Sequence, residues 1–266
     1  MSSTPPDSPG AHPGARPAIR LLREGDVATL ILDRPERHNS LDAADLDEFG
    51  RVLDALSADP SLKAVILTGG EAKSFCSGAA IGDLDRSDWK GAPLERLVEK
   101  LEAVPVPVVC ALNGGVYGGG VEIAIACDFR IGVAGMRCFV PPARLGIHYP
   151  VSGLKRFLSR GGLNVAKRLL LSVEEFDDAE MLRLGLVDRL VPRERLMDEA
   201  RALAARIAAL APMAVRGMKR TLNELARGEL DAAAAEARIA ACWASADHAE
   251  AKRAFAEKRP ARFEGR

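Results

Sequence analysis

The residues with the clearest potential for chemistry lie in a glycine-rich stretch, residues 113–122, that directly follows the apolar run Val108–Leu112. This pattern predicts a buried strand, a glycine turn and then the N-terminus of a helix. Glycine has no Cβ, so a ligand can approach such backbone closely. The first N–H groups of a helix have no partner within it and favour an anion, or an oxygen that becomes one. Glu122 falls in the first helical turn, where its carboxylate could face the same point.

The same stretch also fits two structural interpretations. The glycines could simply let a helix pack tightly on a strand, and a glutamate in a first turn is favoured by the helix dipole. Two phosphate-binding patterns are excluded, because the turn contains neither G-x-x-x-x-G-K-[ST] nor G-x-G-x-x-G. The residues around Glu122 therefore leave catalysis and simple packing both open.

A second turn of small residues, at positions 74–84, follows another apolar run, Ala64–Thr68. Small side chains again leave backbone N–H groups accessible. Two such turns, each after a buried strand, predict two donors that converge on one oxygen, which is the geometry of an oxyanion hole. An ordinary tight loop is the alternative interpretation of this second turn.

The surrounding pattern predicts the elements that must position these turns. Apolar runs at 18–23 and 27–32 flank a glycine and indicate a hairpin, and residues 41–56 predict an amphipathic helix. We expect a strand at Phe129–Val133 and a loop at 138–150, because two adjacent prolines cannot donate to a sheet.

Three organisational units are expected along the chain. Residues 1–17 are rich in proline and predict a disordered tail. Residues 18–198, with alternating strands and helices, predict an α/β core, and residues 199–266 predict a helical oligomerisation region. Its alanine-rich helices are apolar enough to need a partner surface.

Composition excludes several classes of protein. Lysine plus arginine and aspartate plus glutamate both number 37, which argues against nucleic-acid binding through bulk charge. The five cysteines and four histidines show no metal-ligand spacing, so we expect reduced thiols and no metal. No apolar run could span a bilayer and no signal-peptide pattern opens the chain, so we expect a cytoplasmic protein without membrane contact.

Taken together, an ordered set of motifs over residues 18–266 resembles the crotonase, or enoyl-CoA hydratase/isomerase, superfamily. The motifs are Leu32-Asp33-Arg34-Pro35, Asn39-Ser40-Leu41, Leu67-Thr68-Gly69, Phe75-Cys76-Ser77-Gly78-Ala79, Asn113-Gly114, Gly118-Gly119-Gly120 with Glu122, Arg144-Leu145-Gly146 and Phe255-Ala256-Glu257-Lys258-Arg259. The resemblance implies a spiral of ββα turns with a C-terminal helical trimerisation region. The expected assembly is therefore a homotrimer or a dimer of trimers.

The resemblance also implies an acyl-CoA thioester as substrate, with coenzyme A as part of the substrate and no separate cofactor. The two donors that polarise the thioester carbonyl and stabilise an enolate fall at Ala79 and Gly119. Positions that match coenzyme A contacts are Arg37, Ser77, Ala80, Ile81, Phe255 and Lys258. The last two typically contact coenzyme A from a neighbouring subunit; a solvated lysine is the simpler alternative for Lys258.

Two departures from the family pattern concern the reaction itself. The second glutamate of a hydratase is replaced by Pro142, and the common aspartate after the oxyanion turn is replaced by Ala80. Both an ordinary two-glutamate hydration and an ordinary isomerisation at position 142 are therefore in doubt. The local pattern at 142–149 is similar to the methylmalonyl-CoA decarboxylases of the superfamily, with Glu122 retained and a tyrosine at Tyr149 that could hold a carboxylate.

Three functions follow from these observations. The first is an enzyme that forms a thioester enolate, with decarboxylation of a malonyl-type CoA slightly favoured and Glu122 and Tyr149 as its side chains. The second is a hydratase or isomerase that uses Glu122 alone. The third is a non-catalytic acyl-CoA-binding or RNA-binding member. Tyr149 as an aromatic lining of the acyl pocket, and His148 as a further acid or base, remain open.

Overall fold

The apolar runs of the chain form two sheets in residues 16–80 and 92–266, the parts that the computed structural model describes. Runs of valine, isoleucine and leucine favour strands that are buried on both faces. The strands in these ranges are β1 (Ile19–Glu24), β2 (Val27–Leu32), β3 (Ala64–Thr68), β4 (Ser74–Cys76), β5 (Val108–Leu112), β6 (Gly115–Tyr117), β7 (Phe129–Val133), β8 (Arg137–Phe139), β9 (Phe176–Asp177) and β10 (Arg189–Val191). Most of the predicted tail, and Ile81, lie outside the described residues.

Helices follow the strands and cover the sheets. They are α1 (Ala43–Ser57), α2 (Pro93–Ala103), α3 (Gly119–Ala126), α4 (Val151–Leu170), α5 (Asp178–Arg183), α6 (Leu196–Ala208), α7 (Pro212–Arg227), α8 (Ala232–Trp243) and α9 (Ala246–Glu257). Asp42 begins α1 with a reciprocal pair of hydrogen bonds to Asp45, and the apolar face of α1 is buried against the core. No helix within the described ranges is long and apolar enough to cross a membrane.

The larger sheet has the order β1-β2-β3-β5-β7-β10, in which only the β1–β2 hairpin is antiparallel. The smaller sheet has the order β4-β6-β8-β9, and β9 runs antiparallel to β8. Three times in succession, a strand of the larger sheet is followed by a strand of the smaller sheet and then by a helix. This architecture confirms the predicted α/β class and its ββα repeats.

The pairing of β4 with β6 brings the two predicted turns together. These strands are parallel neighbours, so the segments that follow them leave the same edge of the smaller sheet. A buried amide reinforces this arrangement: Asn113 Oδ1 accepts from Gly69 N at 2.9 Å, and its Nδ2 donates to the carbonyl of Ala72 at 2.8 Å. Asn113 thus ties the turn after β3 to the end of β5.

Three short strands lie in segments for which the sequence predicted turns or a loop. Residues 74–76 and 115–117, placed in the two turns, form β4 and β6, which pair with each other. Residues 137–139, placed mostly in a loop by the sequence pattern, form β8, because pairing with β6 and β9 stabilises a strand too short to show in the pattern. The rest of the predicted loop is a short helical turn, Pro142–Leu145, and irregular chain that leads into α4.

The C-terminal helices carry exposed apolar side chains. The large ones on α7, α8 and α9 are Met218, Leu222, Leu225, Ile239, Trp243 and Phe255. The predicted boundary at residue 198 lies within α6, which packs on β3 and β5. The division into a core and an oligomerisation region, and the trimer itself, stay predictions.

Candidate active site

Two backbone N–H groups, those of Ala79 and Gly119, lie side by side where β4 and β6 end. A Cβ placed on Gly119 would lie 3.6 Å from Ala79 N, and one placed on Gly78 would lie 2.6 Å from Gly119 N. The sequence predicted this proximity from two separate turns, and the parallel pairing of β4 and β6 provides it.

Neither group donates a hydrogen bond to any residue that the structure describes. At Ala79 the reason is a parallel bridge: Leu41 N donates to the carbonyl of Gly78, and Ala80 N donates to the carbonyl of Leu41. That pattern turns the N–H of Ala79 away from Leu41. Gly119 is the first residue of α3, where an N–H has no partner within the helix. Both donors are therefore available to a ligand.

Gly78 shapes this pair of donors. Its φ is +87°, a conformation in which a side chain is disfavoured, and a Cβ there would press on the backbone of Gly119. The glycine is required for both reasons. The small residues of the motif therefore set the spacing of the two amides.

Glu122 lies one helical turn into α3, and its side chain is only 1% exposed. The Tyr149 hydroxyl donates to Glu122 Oε2 at 2.6 Å, and Arg156 Nη1 donates to Glu122 Oε1 at 2.5 Å. Both carboxylate oxygens thus accept a strong hydrogen bond, and each keeps a lone pair for a further donor. Tyr149 precedes α4, and Arg156 lies within it.

Burial shifts the pKa values of Glu122 and Tyr149. Burial raises the pKa of Glu122, an effect that the hydrogen bond from Tyr149 and the charge of Arg156 oppose. The pKa of Tyr149 lies well above its ordinary value, chiefly because of burial and then because of the neighbouring Glu122 charge. At neutral pH Tyr149 is therefore a hydrogen-bond donor rather than an anion.

Gly153 makes room for the contact between Tyr149 and Glu122. A Cβ on Gly153 would lie 2.5 Å from Tyr149 Cε1 and 3.0 Å from Glu122 Oε1. The Tyr149 ring is further held edge-on by Phe157, at a centroid distance of 5.5 Å. Small size at position 153 is thus a condition for the hydrogen bond, which the sequence pattern did not indicate.

All four side chains or amides predicted to be catalytic line one cavity of about 430 Å³. They are Ala79, Gly119, Glu122 and Tyr149. Apolar residues form much of the remaining wall, among them Leu94, Pro142, Leu145 and Ile147. A mostly apolar pocket with a few convergent polar groups is typical of a small-molecule site. A larger cavity, of about 640 Å³, lies between α2, α7 and α8 and contains none of the predicted residues.

Three charged residues of the site were missed by the sequence reasoning. Glu95, on α2, lines the cavity and accepts a long hydrogen bond of 3.5 Å from Ser152 Oγ. Arg156 Nη2 donates to Glu102 Oε2 at 3.2 Å, so Arg156 joins Glu122 to a second buried carboxylate. The sequence held no signal for them, since ion-pair partners 34 and 54 residues apart follow no local pattern.

The predicted coenzyme A residues divide into two groups. Ser77 lines the cavity, and its Oγ lies 3.4 Å from the carbonyl of Arg37, so the Arg37 loop adjoins it. The Arg37 side chain itself is paired with Asp42 and Asp45. Ala80 N donates to Leu41 and is not available to a ligand.

The second group lies apart from the cavity. Phe255, on α9, is 88% exposed, and Lys258 caps the end of that helix with a φ of +52°. Neither lines the cavity within this chain. His148 is exposed and contacts the carbonyl of Tyr149 instead of the cavity. The predicted roles of Phe255 and Lys258 in binding coenzyme A remain predictions.

Comparisons with known proteins agree with the geometry. The sequence profile of the enoyl-CoA hydratase/isomerase family matches residues 23–266. A short-chain-enoyl-CoA hydratase from Clostridium acetobutylicum is 34% identical over 248 residues, which cover 91% of this chain and 95% of that protein. A crotonyl-CoA hydratase from Syntrophomonas wolfei is also 34% identical, over 92% and 97% of the two chains.

A solved structure shows the same likeness in three dimensions. The crystal structure of an enoyl-CoA hydratase/carnitine racemase from Magnetospirillum magneticum superposes with a TM-score of 0.89 at 30% identity, and covers 95% of this chain and 97% of that one. The similarity therefore extends through both sheets and the C-terminal helices.

Proposed function

This chain belongs to the enoyl-CoA hydratase/isomerase family, and on that premise we propose that it is a hydro-lyase that adds water to a 2-enoyl-CoA thioester or removes it. One observation carries the proposal. The backbone N–H groups of Ala79 and Gly119, which have no hydrogen-bond acceptor among the residues that the structure describes, share a cavity with the buried carboxyl of Glu122. That combination suits a reaction in which negative charge develops on an oxygen while a proton moves nearby.

The amides of Ala79 and Gly119 act as the oxyanion hole in this proposal. They donate to the thioester carbonyl oxygen, which gains charge as the enolate forms. Each such preorganised donor is worth roughly 3–4 kcal/mol in the transition state. Because the donors belong to the backbone, no side chain has to reorient to form the oxyanion hole.

Glu122 moves the proton. Its carboxylate accepts a proton from water as the water oxygen bonds to Cβ of the enoyl group, and the double-bond electrons pass to the thioester oxygen. The enolate then collapses as Glu122 returns a proton to Cα, which restores the carboxylate. The lone pairs that Tyr149 and Arg156 leave free on Glu122 are sufficient for this contact with water. Protons and water are the only groups transferred, so no separate cofactor is involved.

Decarboxylation of a malonyl-type CoA is the second candidate. Two observations favour it: Pro142 supplies no carboxylate to the cavity, and the Tyr149 side chain lines it. One observation weighs against it, because the single hydroxyl hydrogen of Tyr149 is donated to Glu122 and cannot hold a substrate carboxylate at the same time. An isomerase that uses Glu122 alone needs the same oxyanion hole and the same proton carrier.

Turnover by the purified full-length protein separates these reactions. Crotonyl-CoA is followed through loss of the enoyl absorbance, a 3-enoyl-CoA through gain of that absorbance, and methylmalonyl-CoA through release of CO₂. We expect hydration of crotonyl-CoA without CO₂ release. Release of CO₂ without hydration would replace the proposal by the decarboxylase, and absence of turnover on every thioester despite acyl-CoA binding would indicate a binding protein.

The oxyanion hole is tested by G78A with G135A as its matched control. Both glycines have a strongly positive φ, so both substitutions carry a strain of roughly 1–2 kcal/mol. Only the Cβ at position 78 meets the Gly119 amide, whereas position 135 has open space. We expect kcat to fall by about 10²–10³-fold in G78A and to stay unchanged in G135A. Equal kcat values in the two variants would contradict the assigned role.

A further inference from the structure

We propose that Arg156 is a positioning residue that keeps the Glu122 carboxylate charged and oriented, and that Glu102 weakens this effect because it shares the same guanidinium. The consequence for turnover rests on the proposed function, whereas the consequence for the titration of Glu122 does not. Arg156 does not line the substrate cavity, so it acts only through Glu122.

The three side chains form a continuous buried chain. The Arg156 guanidinium spans from Glu122 Oε1, at 2.5 Å, to Glu102 Oε2, at 3.2 Å. The side chains of Arg156, Glu122 and Glu102 are 4%, 1% and 9% exposed. Water therefore has little access to these charges, least of all at Glu122, and each carboxylate depends mainly on protein partners. A single cation serves two anions that come from different helices, α2 and α3.

The two anions are unequally supplied with positive charge. Glu102 also lies 3.8 Å from Arg160 and 3.8 Å from Arg227. Among the described residues, Arg156 is the one cation within ion-pair distance of Glu122. The other hydrogen-bond donor to the Glu122 carboxylate is the neutral Tyr149 hydroxyl. The negative charge of Glu95, from α2, faces both Glu122 and Tyr149 and raises the pKa of each. The ionisation of Glu122 is therefore sensitive to how Arg156 is shared.

This dependence matters for proton transfer. Glu122 must be a carboxylate to accept a proton from water, yet burial favours its neutral form and raises its pKa. The positive charge of Arg156 opposes burial and lowers that pKa. Removing the cation should therefore raise the pKa of Glu122. Removing the competing anion at Glu102 should lower it, because the guanidinium then faces Glu122 alone.

Opposite shifts in two variants test the proposal. Protein labelled with ¹³C at the glutamate side-chain carboxyls is titrated by NMR, and E122Q identifies the Glu122 signal. We expect the Glu122 midpoint to move to higher pH in R156M and to lower pH in E102Q. The acid limb of kcat/KM should move in the same directions, and R156M should lose about 10²-fold in kcat at neutral pH from misplacement of the carboxylate.

Two further variants keep the test decisive. R156K retains the charge without the fork of donors, so it should restore the titration midpoint more fully than kcat. R130M is the matched control, since Arg130 is also buried and bonds to Asp188 and to the carbonyls of Leu186 and Cys127. It should lose stability, and its Glu122 midpoint should stay unchanged.

The outcomes separate this inference from the proposed function. A Glu122 midpoint in E102Q that matches those of the wild type and R130M, or that moves to higher pH, would overturn the inference even if R156M fails to fold. A protein that turns over no thioester but shows the opposite midpoint shifts would refute the hydro-lyase and leave the role of Arg156 intact.

Discussion

The cavity and the C-terminal segment each hold a glutamate against an arginine, with opposite results. Glu122 lies 2.5 Å from Arg156, and Glu250, on α9, lies 2.5 Å from Arg259. The pKa of Glu122 is nevertheless raised, whereas hydrogen bonds from Arg259 and from the Arg262 backbone lower the pKa of Glu250 to about 2. The distance between the charges cannot be the cause of the difference.

The surroundings of the two carboxyls explain it. The Glu122 side chain is 1% exposed and has one arginine within ion-pair distance among the described residues. Glu250, 11% exposed, has two, Arg253 and Arg259, and also accepts from the Arg262 backbone N–H, while the Arg259 side chain is 37% exposed and keeps contact with water. In the interior, the loss of water penalises the charged form more than one arginine and one tyrosine compensate. The same pair of residue types is structural at the edge and suited to proton transfer in the cavity.

The largest effect should come from removing each carboxylate charge in turn. E122Q keeps the shape of the side chain but cannot accept a proton, so kcat should fall by about 10²–10⁴-fold. E250Q should leave kcat unchanged, because Glu250 does not line the cavity. Steady-state kinetics on a 2-enoyl-CoA substrate measures both, with circular dichroism to confirm folding. A kcat for E122Q within tenfold of the wild type would refute the role of Glu122 in proton transfer.

The next largest loss of activity should come from crowding the contact between Tyr149 and Glu122 without changing any charge. In G153A the new Cβ would displace the Tyr149 ring and lengthen its hydrogen bond to Glu122. A displacement of this kind costs about 10²-fold in rate. G217A in α7 is the matched control, since its Cβ meets only Arg238 Cβ, at 3.9 Å. It should gain roughly 0.5–1 kcal/mol in stability and keep its activity; a similar loss in both variants would argue for a general effect of the substitution.

The pH dependence of stability should differ in sign between the two regions. The folded pKa of Glu122 lies above 4.5, so the folded state holds the proton more tightly and the contribution of Glu122 is lost as pH rises above 4.5 through that pKa. The folded pKa of Glu250 is about 2, so its contribution is present above 4.5 and lost as pH falls towards 2. Urea unfolding of the wild type, E122Q and E250Q across this range measures both contributions. If the contributions of Glu122 and Glu250 to the free energy of unfolding changed in the same direction with pH, the comparison would be refuted.

The smallest effect should follow from neutralising Glu95. Its negative charge raises the pKa of Glu122, so E95Q should move the acid limb of kcat/KM to lower pH. E236Q, on α8, is the control, because Glu236 is exposed and lines neither the cavity nor the groove that contains Arg156 and Glu102. The acid limb of E236Q should coincide with that of the wild type. A shift of E95Q to higher pH would show that Glu95 does not act on Glu122 through its charge.

Long apolar runs made much of the fold predictable. The strand at Val108–Leu112 lies where the sequence placed it, because five consecutive apolar residues have few other stable environments. The strand at Phe129–Val133, where apolar residues alternate with Arg130 and Gly132, also lies where the sequence placed it. The three-residue strands β4, β6 and β8 were missed. β4 and β6 lie within the predicted turns and β8 lies at the start of the predicted loop, so their strand character comes from pairing with neighbours and not from local preference.

The site shows the same division between short and long range. Two glycine turns, a glutamate in a first helical turn and the family motifs were enough to select Ala79, Gly119, Glu122 and Tyr149, all of which line the cavity. Small residues determine local backbone geometry, so their positions carry information within a few residues. What Glu122 does with a proton was not readable in this way. Its pKa depends on burial and on charges from α2 and α4, and only packing of the chain brings those groups within reach of one carboxylate.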